Sequence, residues 1–349
     1  MHRVMMMDML AWPFAIFFAE RFVVQVIHTA KLRVERRAAG MCCGRFCSLH
    51  KIGSGSYGEV FSARNLETRR DVAIKRCRKG KDFDNGEREL MILRHLKQAS
   101  SSKGKDRCVM MLEHFIEHDV THFVFDLHDV NLFQRMMDDV PLSLKEISRF
   151  VGQLASALCF LKSIGLMHTD IKPENVVLCH DGTIKLIDFG SSCFVSERID
   201  FYIQSIFYRS PEVVLGFKLG VEIDAWSLGV LAYEMFTSMP LFKTNNEIRL
   251  LAMMSELLGL HPNIADCRRT DKDALIKHLS LYESEGQTIE ERLSTVAKTQ
   301  RLIGMEIMVF RYLVSLVEGL LRYDCAERLT PEQVLDHPFV TYYHSASSE

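Results

Sequence analysis

The segment Met167–Asn175, MHTDIKPEN, restricts this chain more than any other stretch. Asp170, Lys172 and Asn175 stand at D-x-K-x-x-N spacing, with His168 two residues before the aspartate. Elements legible from pattern flank it. Leu144 to Ile164 is amphipathic, with Leu154, Leu158 and Leu161 on one helical stripe. Thr183 to Ile187 alternates as a strand, and Asp188-Phe189-Gly190 then turns the chain away.

Upstream, Lys51 to Val60 reads KIGSGSYGEV, with Gly53, Gly55 and Gly58 at G-x-G-x-x-G spacing. Glycines let backbone amides approach a phosphate with no side chain between. The flanks, Leu49 to Ile52 and Val60 to Arg64, read as strands, so the glycines belong to a hairpin. A dinucleotide-binding fingerprint would open a helix instead. Val72 and Ile74 alternate in a strand that ends on Lys75. In Glu87 to Leu96, Leu90, Leu93 and Leu96 recur at helical spacing. Ala99 to Asp106 reads as a flexible polar loop. Val109 to Leu112 and Thr121 to Phe125 read as strands, the second leading into Asp126-Leu127-His128. Ile223 to Phe236 and Met308 to Leu321 read as core helices.

At 349 residues the chain is long enough for two lobes, and 43 basic against 45 acidic residues give a formal charge of −2. That balance points away from direct nucleic-acid binding. Ten cysteines are scattered without a C-x-x-C pair, as in a reduced cytoplasmic or nuclear protein. The apolar run Met9 to Phe18 is interrupted by Pro13 and followed by Glu20 and Arg21. It falls short of the ~20 apolar residues of a spanning helix. A secretory leader is the alternative, but free thiols argue against it. Residues 1–47 are therefore expected to be a poorly structured extension, apolar and then basic (KLRVERR, Lys31 to Arg37), with no firm membrane association.

Together these motifs resemble a eukaryotic protein kinase domain over residues 48–340. The resemblance implies an α+β, bilobal protein kinase fold. A small antiparallel β-sheet lobe with helix C would span 48–127, and a larger, mainly helical lobe 128–340. A group-type insert is expected at about 261–304, and a tail at 341–349. The activation segment, DFGSSC and then YIQSIFYRSPEVVLG, is similar to the dual-specificity tyrosine-regulated (DYRK) family of the CMGC group, whereas HTDIKPEN is closer to SR-protein and CDC-like kinases.

The resemblance implies ATP as substrate, Mg2+ as cofactor, protein substrates with serine or threonine targets, and a monomer. Asp170 would be the base, Lys172 would steady the transferred phosphoryl, and Asn175 and Asp188 would hold magnesium. Lys75 would grip the α and β phosphates, oriented by Glu89, with Glu87 the competing position. Ile52, Gly53, Ser54, Gly55, Ser56, Tyr57, Gly58 and Val60 would cover the nucleotide, with Ala73 nearby. Phe125 would be the gatekeeper, and Asp126, Leu127 and His128 the hinge meeting adenine. Tyr202 would be self-phosphorylated and held by Arg209. Asp200 and Ile206 depart from the family's tyrosine and arginine there, and Thr169 replaces the arginine of the commoner H-R-D. Glu212 with Arg328, and Asp224, would be structural. A pseudokinase or nucleotide-binding scaffold is the alternative from a different class.

Overall fold

The computed structural model describes residues 41–55, 58–77, 84–100, 103–128, 130–199, 203–259, 261, 263–267, 279 and 286–345. Contacts divide the chain into two compact units. One comprises Met111–Leu127 and the described residues up to Glu87; the other comprises Arg88–Met110 and the described residues from His128 onward.

The first unit is an antiparallel sheet of six strands. These are β1 (Met41–Cys43), β2 (Phe46–Ser54), β3 (Gly58–Asn65), β4 (Asp71–Cys77), β5 (Glu113–Glu117) and β6 (Val120–Asp126), in the order β1-β2-β3-β4-β6-β5. The sheet thus starts at Met41, ahead of the boundary expected at residue 48. Period-two alternation sorts its side chains onto two faces. Phe46, Ala63, Val72, Ile74 and Val124 form the buried cluster on one face. Val60 pairs with Lys75 and Ala73 with Phe125, so these four share the opposite face. Asn65 closes the β3–β4 turn, its side chain accepting from the backbone N–H groups of Glu67 (2.9 Å) and Thr68 (3.0 Å).

The expected strand at Val109 to Leu112 is not one. Val109 donates to the Leu186 carbonyl at 2.9 Å, and Cys108 forms a single bridge to Leu186. The apolar character of this stretch comes from packing as an extended connection, not from a ladder. The strand is β5, EHFIE, whose polar composition suits a sheet edge with Ile116 left exposed. The loop expected to be flexible before it is partly anchored. Gly104 adopts φ +99°, and a Cβ there would lie 1.9 Å from the Ser156 carbonyl oxygen.

Helices dominate the second unit. α1 (Asp84–Gln98) lies mostly in it, its first turn belonging to the sheet unit. Then come α2 (Leu132–Met136) and α3 (Leu144–Ser163). A capping box between Ser143 and Glu146 starts α3. α4 (Pro211–Leu215), α5 (Glu222–Thr237) and α6 (Glu247–Leu258) follow. Every residue of α5 from Ile223 to Thr237 is buried, as an apolar helix at the centre of a unit should be. α7 (Ile289–Gln300), α8 (Met305–Leu320), α9 (Pro331–Asp336) and α10 (Pro338–Ser345) complete the unit. α10 runs through most of the expected tail. Short ladders carry the loop of interest. β8 (Leu166–Met167) pairs with β11 (Cys193–Phe194), while β9 (Val176–Leu178) pairs with β10 (Ile184–Leu186) and β7 (Val130–Asn131). Among the described residues no helix is long and apolar enough to cross a membrane; the N-terminal apolar run lies outside them.

Candidate active site

Two hairpin-like ladders present the MHTDIKPEN loop. β8 ends at Met167, immediately before His168, and β9 begins at Val176, immediately after Asn175. Between them the backbone is held from below by Asp224 on α5. Its carboxylate accepts the N–H groups of His168 (2.7 Å) and Thr169 (2.9 Å). Burial pushes the Asp224 carboxyl up to about 7, against the lowering effect of those two bonds. The second bond accommodates Thr169 at φ +66°, a left-handed conformation unusual for a β-branched residue. Backbone strain of this kind gathers at functional sites.

His168 is fully buried. It accepts from the Asp170 N–H at Nδ1 (3.2 Å), so Nε2 carries the proton and donates to the Ile187 carbonyl (3.0 Å). Burial keeps its pKa below the ordinary value, consistent with a neutral ring. The ring packs edge-on against Phe189, with centroids 4.9 Å apart.

Asp170, Lys172 and Asn175 converge. The Asn175 amide donates to Oδ2 of Asp170 at 2.9 Å and to its backbone oxygen at 2.8 Å. Lys172 Nζ lies 2.7 Å from the same Oδ2. Burial alone would lower the Lys172 ammonium, but the charge and hydrogen bond of Asp170, with the charges of Glu174 and Asp188, together hold its pKa above the ordinary value. On the other side, Ser205 donates its hydroxyl to Asp170 Oδ1 (2.7 Å) and its N–H to the same oxygen (3.2 Å); Lys172 Nζ donates to Ser205 Oγ (2.9 Å). Both oxygens of the candidate base are therefore oriented.

Asp188 stands close by through the β9–β10 register. Leu186 pairs with Val176, and the next N–H, that of Ile187, donates to the Asn175 carbonyl at 2.9 Å. Asp188 adopts φ +63°. With the Asn175 amide nitrogen turned to Asp170, its side-chain oxygen and the Asp188 carboxylate are oxygen donors. Magnesium takes one or two carboxylates together with substrate phosphates, so this donor set fits it. No group of three or more histidine, cysteine or acidic side chains suited to a metal occurs among the described residues.

In the sheet unit, Gly53 pairs with Val60, and Val60 with Lys75. Lys75 is buried, and so is Glu89 at 2% exposure, whereas Glu87 is exposed. Phe125 lies on β6 beside Ala73, with Asp126, the last residue of β6, exposed and Leu127 and His128 half-buried. Ile52 is half-buried and Ser54 exposed; Ser56 and Tyr57 lie outside the described residues.

A family model described as "Protein kinase domain" matches residues 46–340. The chain belongs to the protein kinase family. The kinase is similar to the Drosophila melanogaster "Dual specificity tyrosine-phosphorylation-regulated kinase 2", 35% identical over 305 residues, covering 85% of this chain and 41% of that protein. It is 32% identical over 320 residues to the Homo sapiens "Dual specificity tyrosine-phosphorylation-regulated kinase 3" (85% of this chain, 54% of that protein). It is 29% identical over 338 residues to the Saccharomyces cerevisiae "Dual specificity protein kinase YAK1" (85% and 42%). The chain thus spans about half the length, or less, of these relatives. The DYRK-like resemblance of its activation segment agrees with their names.

Tyr202, expected to be regulatory, and Asp200 lie outside the described residues. Arg209 is buried: Nε and Nη2 donate to the Gln204 carbonyl (3.2 and 2.7 Å), Nε also to that of Ile203 (3.1 Å), and Nη1 pairs with Glu247 (2.9 Å). Ser205 was not legible as a site residue. It lies 35 positions from Asp170, and no local spacing links the two.

The glycines separate structural from ligand-facing demand. A Cβ at Gly58 would lie 2.3 Å from the Arg76 carbonyl oxygen, while one at Gly55 would meet nothing within 4 Å. Packing explains Gly58, and no packing demand is seen at Gly55. Gly58→Ala is expected to cost about 1–3 kcal/mol of stability. Gly55→Ala should leave the melting temperature unchanged and raise the KM for ATP. Thermal melts and steady-state kinetics on the two variants check this.

Proposed function

We propose that this kinase is catalytically active, transferring the γ-phosphoryl group of ATP to serine and threonine hydroxyls of protein substrates. The observation that carries this is Asp170 with both carboxylate oxygens oriented by Asn175, Lys172 and Ser205. A scaffold that only bound nucleotide would have no use for such a base. Asp170 accepts the proton of the attacking hydroxyl, which the Ser205 and Asn175 bonds aim. Lys172, held cationic beside it, meets the negative charge on the transferred group. Lys75 grips the α and β phosphates, and Gly53 and Gly55 leave room for backbone amides against them. Asn175 and Asp188 would hold magnesium, which when bound would supply positive charge against the phosphates. Self-phosphorylation on Tyr202 is the dual-specificity component; Arg209, expected as its phosphate partner, is instead buried against the Gln204 and Ile203 carbonyls and Glu247.

A preference for proline after the target residue, common in the group of kinases that this chain resembles, is part of the same reading. A peptide array probed with wild type and Asp170→Asn tests both points. Labelled serine and threonine spots, enriched in following proline and absent with the variant, are expected. Label independent of Asp170 would refute the mechanism, and indifference to the following residue would refute the proline preference.

A further inference from the structure

Arg88, on α1 immediately before Glu89, does not point freely into solvent. Its guanidinium pairs with the Glu197 carboxylate, and Nη2 also donates to the Ser192 carbonyl at 3.3 Å. Both side chains keep less than a third of their exposure, so the pair is less screened than a fully exposed one. Its partners lie on the segment that follows Asp188, and that segment is itself fastened. Cys193 and Phe194 pair with Met167 and Leu166, Val195 N–H donates to Gly165 (2.9 Å), and Glu197 N–H closes a turn onto Phe194 (3.0 Å). Ser192 in turn donates its hydroxyl to the His168 carbonyl (3.1 Å), and Thr169 donates its own to Ser191 (2.7 Å). A continuous path therefore runs from Arg88 through Ser192 to the loop that carries Asp170.

Two turns along α1, His95 lies on the same face as Arg88. Its ring meets Phe194 edge-on at 5.0 Å, and Nε2 reaches the Ile164 carbonyl at 3.3 Å. α1 is thus held at two heights against one segment: by ring packing at His95 and by charge at Arg88. Only the charged contact lies in the turn that carries the buried Glu89.

We propose that Arg88 is a positioning residue, whose pairing with Glu197 holds the Glu89 turn of α1 against the segment after Asp188 with an encoded carboxylate and no added phosphate. Thr169 removes the arginine that other kinases use to read a phosphate, and the Arg88–Glu197 pair ties the same segment by other means. The inference rests on the kinase activity proposed above.

The test uses the full chain with Arg88→Glu, Glu197→Arg and the double reversal. Each single reversal is expected to lower kcat about tenfold, with the KM for peptide substrate unchanged, and the double reversal to recover kcat to within about threefold. A merely structural contact would not give that split or that rescue. Amide hydrogen exchange across Glu89–Leu93 reads the pairing without any catalysis and should accelerate in each single variant and recover in the double. Unchanged exchange in the singles, or a double no better than either single, would overturn the proposal. Wild type with no phosphotransfer but this exchange pattern would instead refute the proposed activity and leave the pairing intact. If a reversed chain fails to fold, Arg88→Ala, Glu197→Gln and their combination decide. Falls in kcat that do not add support coupling; additive falls, or none, contradict it.

Discussion

Asp170→Asn is expected to lower kcat by about 10³-fold while the melting temperature stays near that of wild type. The amide keeps the size of the carboxylate and can still accept the Ser205 hydroxyl bond of 2.7 Å. It loses proton affinity, and Lys172 loses the charge 2.7 Å away that holds its pKa above the ordinary value. Single-turnover kinetics with saturating ATP separate this from a binding defect: nucleotide affinity should change little and transfer should nearly vanish. A variant that transfers phosphate at near-normal rate would show that another group takes the proton.

The second large effect concerns stability. Arg328→Ala should cost about 3–5 kcal/mol, because it leaves a buried carboxylate without its counter-charge. Arg328 is fully buried. It pairs with Glu212, donates to the carbonyls of Glu222 (2.9 Å) and Arg322 (3.0 and 2.7 Å), and lies over the Trp226 ring at 5.2 Å. Cys325 adds a thiol bond of 3.0 Å to the same Glu212 oxygen. Glu222, Arg322 and Cys325, which bond to the pair, are not residues of the Asp170 network, so the folded fraction should retain its kcat. Denaturant melts measure the loss. A cost under about 1 kcal/mol would mean that the site readily admits water or relaxes around the missing side chain.

The parts of this fold that were readable from sequence share a cause. Where one local pattern decided the outcome, it was legible: the stripe of Leu154, Leu158 and Leu161, the alternation at Val72 and Ile74, the glycines of the β2–β3 hairpin. β5 was missed because an edge strand needs no apolar face, and EHFIE looks like loop. Val109 to Leu112 misled because burial without a ladder has the same composition as a strand. In the site, Asp170, Lys172 and Asn175 sit within six residues, so the resemblance carried by one local motif was enough to group them. The αL backbone of Gln204 and the aim of Ser205 depend on chain returning from 35 residues away. Glu197 facing Arg88 is a contact across 109 positions, beyond any local signal.

The most direct test of the central claim is transfer of labelled γ-phosphate from Mg-ATP to a mixed pool of serine, threonine and tyrosine peptides by the wild-type chain. The expected result is label on serine and threonine peptides, abolished by a magnesium chelator and by Asp170→Asn. Saturable ATP binding with no label in any peptide would contradict it and leave the chain a nucleotide-binding scaffold.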